Sequence, residues 1–252
     1  MSSSSASARR VALVADAGFY VGPDLARVLA ARGHDLVLGD PEAGLVDELE
    51  STGAAVEVVT GARDLSDPSA AGRLVGAAMG RFGRLDAAVG FSGRIVVGRF
   101  VGSTIEELRA VVGGCLEAPF HFLQAVLPPM LEQGDGQVLV ITSAAGSRPT
   151  PGAPLYSSAR AGANMLVRNV AGEVAKSGVQ VNAVGTNFMD FPAFLEANGA
   201  ADDPARRAAL EAMVPMRRLG TMEEFANFCA VFVDGTSRFT TGQFVAYAGG
   251  WA

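Results

Sequence analysis

Metal ligands and thiols are scarce in this sequence. Two histidines, His34 and His121, and two cysteines, Cys115 and Cys229, are all that its 252 residues supply, and the members of each pair lie far apart along the chain. Neither a zinc site nor a disulfide framework can be assembled from such a set, so the expectation is a reduced, metal-free protein of the cytoplasm. Positive charge is also in short supply. Twenty Lys and Arg face 26 Asp and Glu, and the net charge of −6 is not interrupted by any basic block. That balance disfavours nucleic acid and acidic membrane surfaces as partners. No stretch is an uninterrupted apolar run of roughly 18 residues, the length of a membrane span. The N-terminal MSSSSASARR has no apolar segment of a signal peptide either, and residues 1–10 read as a disordered leader to one domain over 11–252. Repeats and dividing linkers are missing too.

What the chain has in quantity is aliphatic. Hydrophobic residues make up 49% of it, ample for one continuous core. Short apolar runs recur at VALVA (11–15), DLVLG (35–39), AVEVV (55–59), LDAAVG (85–90), QVLVITS (137–143), VQVNAV (179–184) and QFVAYA (243–248). Between them lie stretches of helical spacing, such as Leu25, Val28 and Leu29, or Leu166, Val167, Val170 and Val174. Strands apolar on both faces that alternate with helices predict an α/β fold: a single Rossmann-like domain with a doubly wound parallel sheet of about seven strands. Ligands of such sheets sit at the C-terminal strand ends, so the Pro/Gly-rich segments 146–154 and 185–204, which each follow a strand, read as active-site loops.

Candidate chemistry gathers between 143 and 160. Ser143 ends a strand, and Tyr156 and Arg160 share the helical segment LYSSARAGANMLV. A spacing of four places the phenol and the guanidinium on one helix face, where both can act on one ligand. A free phenol keeps its proton at neutral pH, and a permanent cation beside it favours the phenolate, which makes Tyr156 a candidate base. Alone, Ser143 is a turn former and a Tyr/Arg pair is a common surface feature; the combination inside this fold is what carries the reading.

The turn after the first strand reads ADAGFYVG (15–22). A strand, a Gly-rich turn and a helix together offer backbone N–H groups to a dinucleotide pyrophosphate, but only where no side chain stands between. Here Asp16 and Tyr20 intervene. A carboxylate about 4 Å from a phosphate repels it by roughly 4 kcal/mol at an effective dielectric of 20. Asp40 and Asp64 read as relics of an adenosine site or as surface carboxylates, His34 and His121 as structural, and Phe188, Phe191 and Phe194 as loop anchors or substrate contacts.

Over nearly its whole length, from VALVADAGFYVG through Ser143 and YSSAR to TGQFVAYAGG, the chain resembles the short-chain dehydrogenase/reductase superfamily. It departs from the dehydrogenases of that superfamily at each signature. Ala15, Asp16 and Tyr20 replace the Thr and first two glycines of TGxxxGxG; Gly90-Phe91-Ser92-Gly93 stands in the NNAG slot; Arg160 replaces the lysine of YxxxK; Cys115 replaces a helix Asn. The combination of Ser143, Tyr156, Arg160 and an aromatic in the glycine loop is similar to the halohydrin dehalogenases, as are VGTNFMDFPAF (184–194) and RRLGTMEEF (217–225).

That resemblance implies interconversion of vicinal haloalcohols with epoxides plus halide, without nucleotide or metal. It also implies ring opening by azide, cyanide or nitrite. Ser143 would position the substrate oxygen, Tyr156 would take its proton with help from Arg160, and halide would leave between Tyr20 and Thr186-Asn187-Phe188-Met189. A homotetramer or homodimer is expected, packed through the helices near 104–132 and 155–176. Two alternatives stay open: an NAD(P)-dependent short-chain oxidoreductase with a degenerate loop, and a binding protein without activity, against which the retained triad argues.

Overall fold

The computed structural model describes residues 9–252. Seven strands form one parallel sheet: β1 (Arg10–Val14), β2 (His34–Gly39), β3 (Val56–Val59), β4 (Ala87–Phe91), β5 (Gly136–Ser143), β6 (Val179–Thr186) and β7 (Phe244–Tyr247). Their order is β3-β2-β1-β4-β5-β6-β7, with every pairing parallel. All seven apolar runs become strands. The expected leader lies largely outside the described residues, but its last two residues are placed, and Arg10 opens β1 rather than preceding it.

Helices α1 (Gly22–Ala31), α2 (Leu45–Ser51) and α9 (Met222–Ala230) cover one face of the sheet, and α3 (Ala70–Phe82), α5 (Ala118–Gln133) and α6 (Pro154–Val174) cover the other. The two-residue period of a strand decides which side chain meets which layer. Val138 and Val140 of β5 join Phe122, Val126, Met130 and Val167, while Leu139 and Ile141 join Leu25, Phe225 and Ala226. At about 1.5–3 kcal/mol for each fully buried aliphatic or Phe side chain, these two layers dominate stability. Short helices α7 (Pro192–Ala197) and α8 (Pro204–Ala212) stand between β6 and α9.

Helix α4 (Ile105–Val112) runs into α5 through one turn of wider, π-type hydrogen bonding at Gly113–Glu117. The resulting helix, Ile105–Gln133, is 29 residues long and apolar enough by composition to cross a membrane. The sequence reading missed this because charged residues interrupt the apolar run. Val111, Cys115, Phe122, Leu123, Val126 and Met130 are buried in the protein's own core, while Ile105, Leu108, Phe120 and Leu131 stay exposed on the opposite side.

Strand order reverses between β1 and β4, and α/β sheets bind ligands beside such a reversal, at the C-terminal strand ends. Ala15, Ser92, Ser143 and Thr186 end or directly follow β1, β4, β5 and β6 on that side.

His34, read as structural, is sealed at the opposite end of β2. Its Nδ1 bonds the Leu29 carbonyl at 3.1 Å, and Nε2 is buried without a partner. Burial pushes the imidazole below its ordinary value, and the Leu29 bond opposes this only in part. The folded form therefore holds the neutral ring. Stability from that preference is present above about pH 6.5, where the unfolded ring is also neutral, and is lost as pH falls. Thermal melts at pH 7.5 and 5.5 should show a smaller acid-induced loss for His34→Gln than for wild type; equal losses would remove His34 from the acid response.

Candidate active site

Helix α6 begins with Pro154 in its first turn, where a missing N–H costs nothing. Its inward face carries Tyr156, Arg160 and Asn164, spaced by four and all buried. The Arg160 guanidinium carbon lies 5.0 Å from the Tyr156 ring centroid. Arg160 Nη1 donates to Ser92 Oγ at 2.7 Å, and Ser92 Oγ donates to the Ile141 carbonyl of β5 at 3.3 Å. Nη2 lies against Gly93, where an added Cβ would stand 2.2 Å from it. The segment after β4 thus forms a socket that holds the cation over the ring. The Tyr156 hydroxyl takes no hydrogen bond from a described residue, and it is not among the polar atoms sealed from the surface. It is free to meet a ligand.

Ser143 is the last residue of β5 and pairs in register with Thr186, the last of β6. Its Oγ accepts from the Ala145 N–H at 3.2 Å and donates at 3.4 Å to the Thr186 carbonyl. The second bond is long, so that proton can be redirected to a substrate oxygen at little cost. Thr186 Oγ1 is in turn 2.7 Å from the Tyr20 hydroxyl. Three strand-end elements are thereby linked through Thr186.

Tyr20 has φ 54°, in the left-handed region normally left to glycine. Such backbone strain is of order 1–3 kcal/mol, comparable to the gain from burying a ring of this size. The ring packs edge-on to Phe191 at 5.2 Å and near Phe225 at 6.0 Å. Burial holds the phenol far above its ordinary value, against the opposing Thr186 bond, and Tyr156 and Arg160 are near enough to act on it electrostatically. Tyr20 therefore keeps its proton.

The two glycines that remain in this loop serve the fold. A Cβ on Gly22 would lie 1.8 Å from the Asp16 carbonyl oxygen, and one on Gly18 would lie 2.3 Å from that of Asp40. Asp16 departs from expectation: its carboxylate is 3.2 Å from Arg63 Nε and accepts from Gly18 N–H. Burial raises its pKa even so, with Arg63 opposing. Its charge is countered, which weakens the expected repulsion of a phosphate and leaves that expectation to the Tyr20 ring. Asp40 is more than a surface carboxylate. Its two oxygens accept from the N–H groups of Gly61, Ala62 and Arg63 at 2.6, 2.9 and 2.8 Å, which ties β2 to the loop after β3. Asp64 caps a local turn at Ser66.

Of the expected halide-pocket residues, Tyr20 and Thr186 meet directly. Asn187 follows at the strand end and uses Oδ1 to cap the Phe188 N–H at 2.9 Å. Phe188 packs apart from these two, whereas Met189 lies in the same buried layer that the Tyr20 ring packs against. Phe188, at φ 56°, packs on Phe194 and Trp251 in a separate cluster with Val214 and Leu219. Met189 is buried with its thioether against Gly220. The sequence reading assigned no role to Ser92 and Gly93, although their place in the departed NNAG slot was a signal. It also left out Arg148, whose guanidinium stacks 4.7 Å above the Trp251 indole; nothing local in the sequence pairs those two.

Val96 and Leu155 pack against the cluster that contains Tyr156, and both line a cavity of about 240 Å³ between the loop after β4 and the start of α6. None of Ser143, Tyr156, Arg160, Tyr20 or Thr186 lines it, so it lies beside the site and not within it. No group of three or more His, Cys, Asp or Glu able to hold a metal ion occurs among the described residues. The arrangement brings together a strand-end serine with a loosely held proton, a phenol without a hydrogen-bond partner beside a cation, and a second, neutral phenol at the end of β6.

Comparison with known proteins adds the relatives of this chain. A family profile described as enoyl-(acyl carrier protein) reductase matches residues 20–252. An uncharacterized oxidoreductase of Mycobacterium tuberculosis is 31% identical over 247 residues, spanning 95% of this chain and 90% of that one. The 3-oxoacyl-acyl-carrier-protein reductase FabG of Thermotoga maritima is 26% identical over 243 residues, spanning 96% and 97%. A solved structure described as a dehalogenation enzyme superposes with a TM-score of 0.83 at 26% identity, covering 97% of this chain and 98% of the other.

Proposed function

The chain belongs to the short-chain dehydrogenase/reductase superfamily, and from that premise we propose that it is a halohydrin dehalogenase, an enzyme that closes vicinal haloalcohols to epoxides without nucleotide. The observation that carries the proposal is Tyr20. The superfamily's nucleotide needs bare backbone where this ring stands, bonded to Thr186 and wedged against Phe191. The carboxylate at the end of β2 that would meet a ribose is already occupied by three backbone N–H groups. These residues do not fit a dinucleotide, and no step runs through one.

In the proposed reaction Ser143 gives its long bond to Thr186 over to the substrate oxygen. Tyr156 accepts the hydroxyl proton as general base, beside the Arg160 guanidinium 5.0 Å from its ring centroid. The alkoxide lone pair forms the new C–O bond from behind as the C–X pair departs with the halide. The halide leaves between Tyr20 and the Thr186–Asn187 strand end, where the Tyr20 O–H can donate to it. Tyr156 then returns its proton to water. Reversal, with Tyr156 as acid, opens an epoxide with halide, azide, cyanide or nitrite.

A nucleotide-dependent oxidoreductase is the second reading, favoured by the reductase relatives. One experiment separates them: halide release from a vicinal bromoalcohol, followed with no added nucleotide, beside thermal melts with and without NAD(H) and NADP(H). The proposal expects release and unshifted melts. No release together with a nucleotide-raised Tm would overturn it.

A further inference from the structure

The socket that holds Arg160 is itself braced from behind. Arg94, which follows Ser92 and Gly93, docks its backbone on the π-type turn between α4 and α5. Its N–H donates to Cys115 Sγ at 3.4 Å, and the same thiol donates to its carbonyl at 3.5 Å. Cys115 is fully buried. The close approach depends on Gly114, where a Cβ would lie 2.6 Å from Arg94 Cβ and 2.9 Å from its backbone nitrogen. Glycine is among the poorest helix formers, and widened turns recur in helices where a functional group must be re-aimed. This helix carries Gly113, Gly114 and the wide turn together, at the point where the loop rests.

We propose that Cys115 is a positioning residue for the haloalcohol reaction: its thiol clamps both backbone groups of Arg94 and so fixes the Ser92–Gly93 socket that seats Arg160 over Tyr156. The inference rests on the reading above, with Arg160 as the cation that supports the tyrosine base. The chain of contact is continuous. Cys115 holds Arg94, the peptide before Arg94 is Gly93 against Nη2, and Ser92 Oγ accepts from Nη1. With the clamp gone, the Arg94 backbone loses both of its bonds to the helix, and the loop is left to the Ser92 bonds, the packing of Val96 and the Gly98 N–H bond to the Gly152 carbonyl at 2.6 Å, so the near end can relax away from the guanidinium.

The test uses the whole protein with Cys115→Ala, which removes donor and acceptor, and Cys115→Ser, which restores both. Hydrogen exchange of the segment 92–96 reads the brace without turnover, and halide release from a vicinal bromoalcohol reads its effect. Cys115→Ala should speed exchange there and lower kcat by about tenfold with little change in KM, because sub-ångström misplacement of a catalytic group is felt in the chemical step. Cys115→Ser should recover most of both. Gly114→Ala, which pushes Arg94 from the other side, should resemble Cys115→Ala. Wild-type exchange in Cys115→Ala, or faster exchange with unchanged kcat, would overturn the proposal. If wild type releases no halide, the dehalogenase reading fails while exchange in the Ala and Ser variants still decides whether the clamp exists.

Discussion

Tyr156→Phe should lower kcat for halide release by about 10²–10⁴-fold, the usual contribution of a positioned general base. KM should change little and the thermal midpoint less. The reason lies in what the hydroxyl touches. It has no hydrogen bond to a described residue, so its removal orphans no protein group, and the ring keeps its place among Val111, Cys115, Ala145 and Ala159. Activity and stability are therefore uncoupled at this one atom. Tyr20 is different, since loss of its hydroxyl takes a partner from Thr186 Oγ1. The check is steady-state kinetics beside a melt of the same preparation. A mutant as fast as wild type across several haloalcohols would eliminate Tyr156 as the base, and with it the proposed reaction.

Gly93→Ala should be nearly as damaging, by about 10²-fold in kcat, although it adds one methyl group. Two costs combine. The position has φ 154°, at the margin of what an L side chain adopts, and the new Cβ would stand 2.2 Å from Arg160 Nη2. Backbone strain of order 1–3 kcal/mol and a displaced guanidinium follow. Arg160 Nε is already buried without a partner, so a shift that also breaks Nη1 from Ser92 leaves a cation poorly satisfied. The loop is largely exposed, so the variant should still fold, and circular dichroism would confirm that before rates are compared. Wild-type rates would show that the seat of Arg160 does not matter.

The sheet was readable because parallel strands covered on both faces become uninterrupted apolar runs. All eight residues of β5 are buried, and QVLVITS shows it. The pairing of Tyr156 with Arg160 on one face of α6, and the place of Ser143 at a strand end, were readable because both are local in sequence. The rest depends on partners distant in sequence. Asp40 looked idle because the N–H groups it collects come from Gly61 to Arg63. Ser92 and Gly93 stood out only as departures, since the group they serve, Arg160, is 68 residues away from Ser92. Phe188 and Met189 follow β6 directly and looked like pocket walls. The Phe188 ring packs on Trp251, which no local pattern could indicate, while Met189 shares the buried layer of Tyr20.

Tyr20, wedged into the turn after β1 with its proton held in place, has one more consequence. As a halohydrin dehalogenase, the reading proposed above, the protein would consume no reducing equivalents. Under the proposed reaction the driving force comes from concentrations alone: closure yields a halide ion and a proton, so salinity and acidity pull the equilibrium toward the haloalcohol, while dilute, mildly alkaline water pulls it toward the epoxide. A fold whose relatives include named reductases would then answer to the ionic makeup of its surroundings instead of the redox state of the cell.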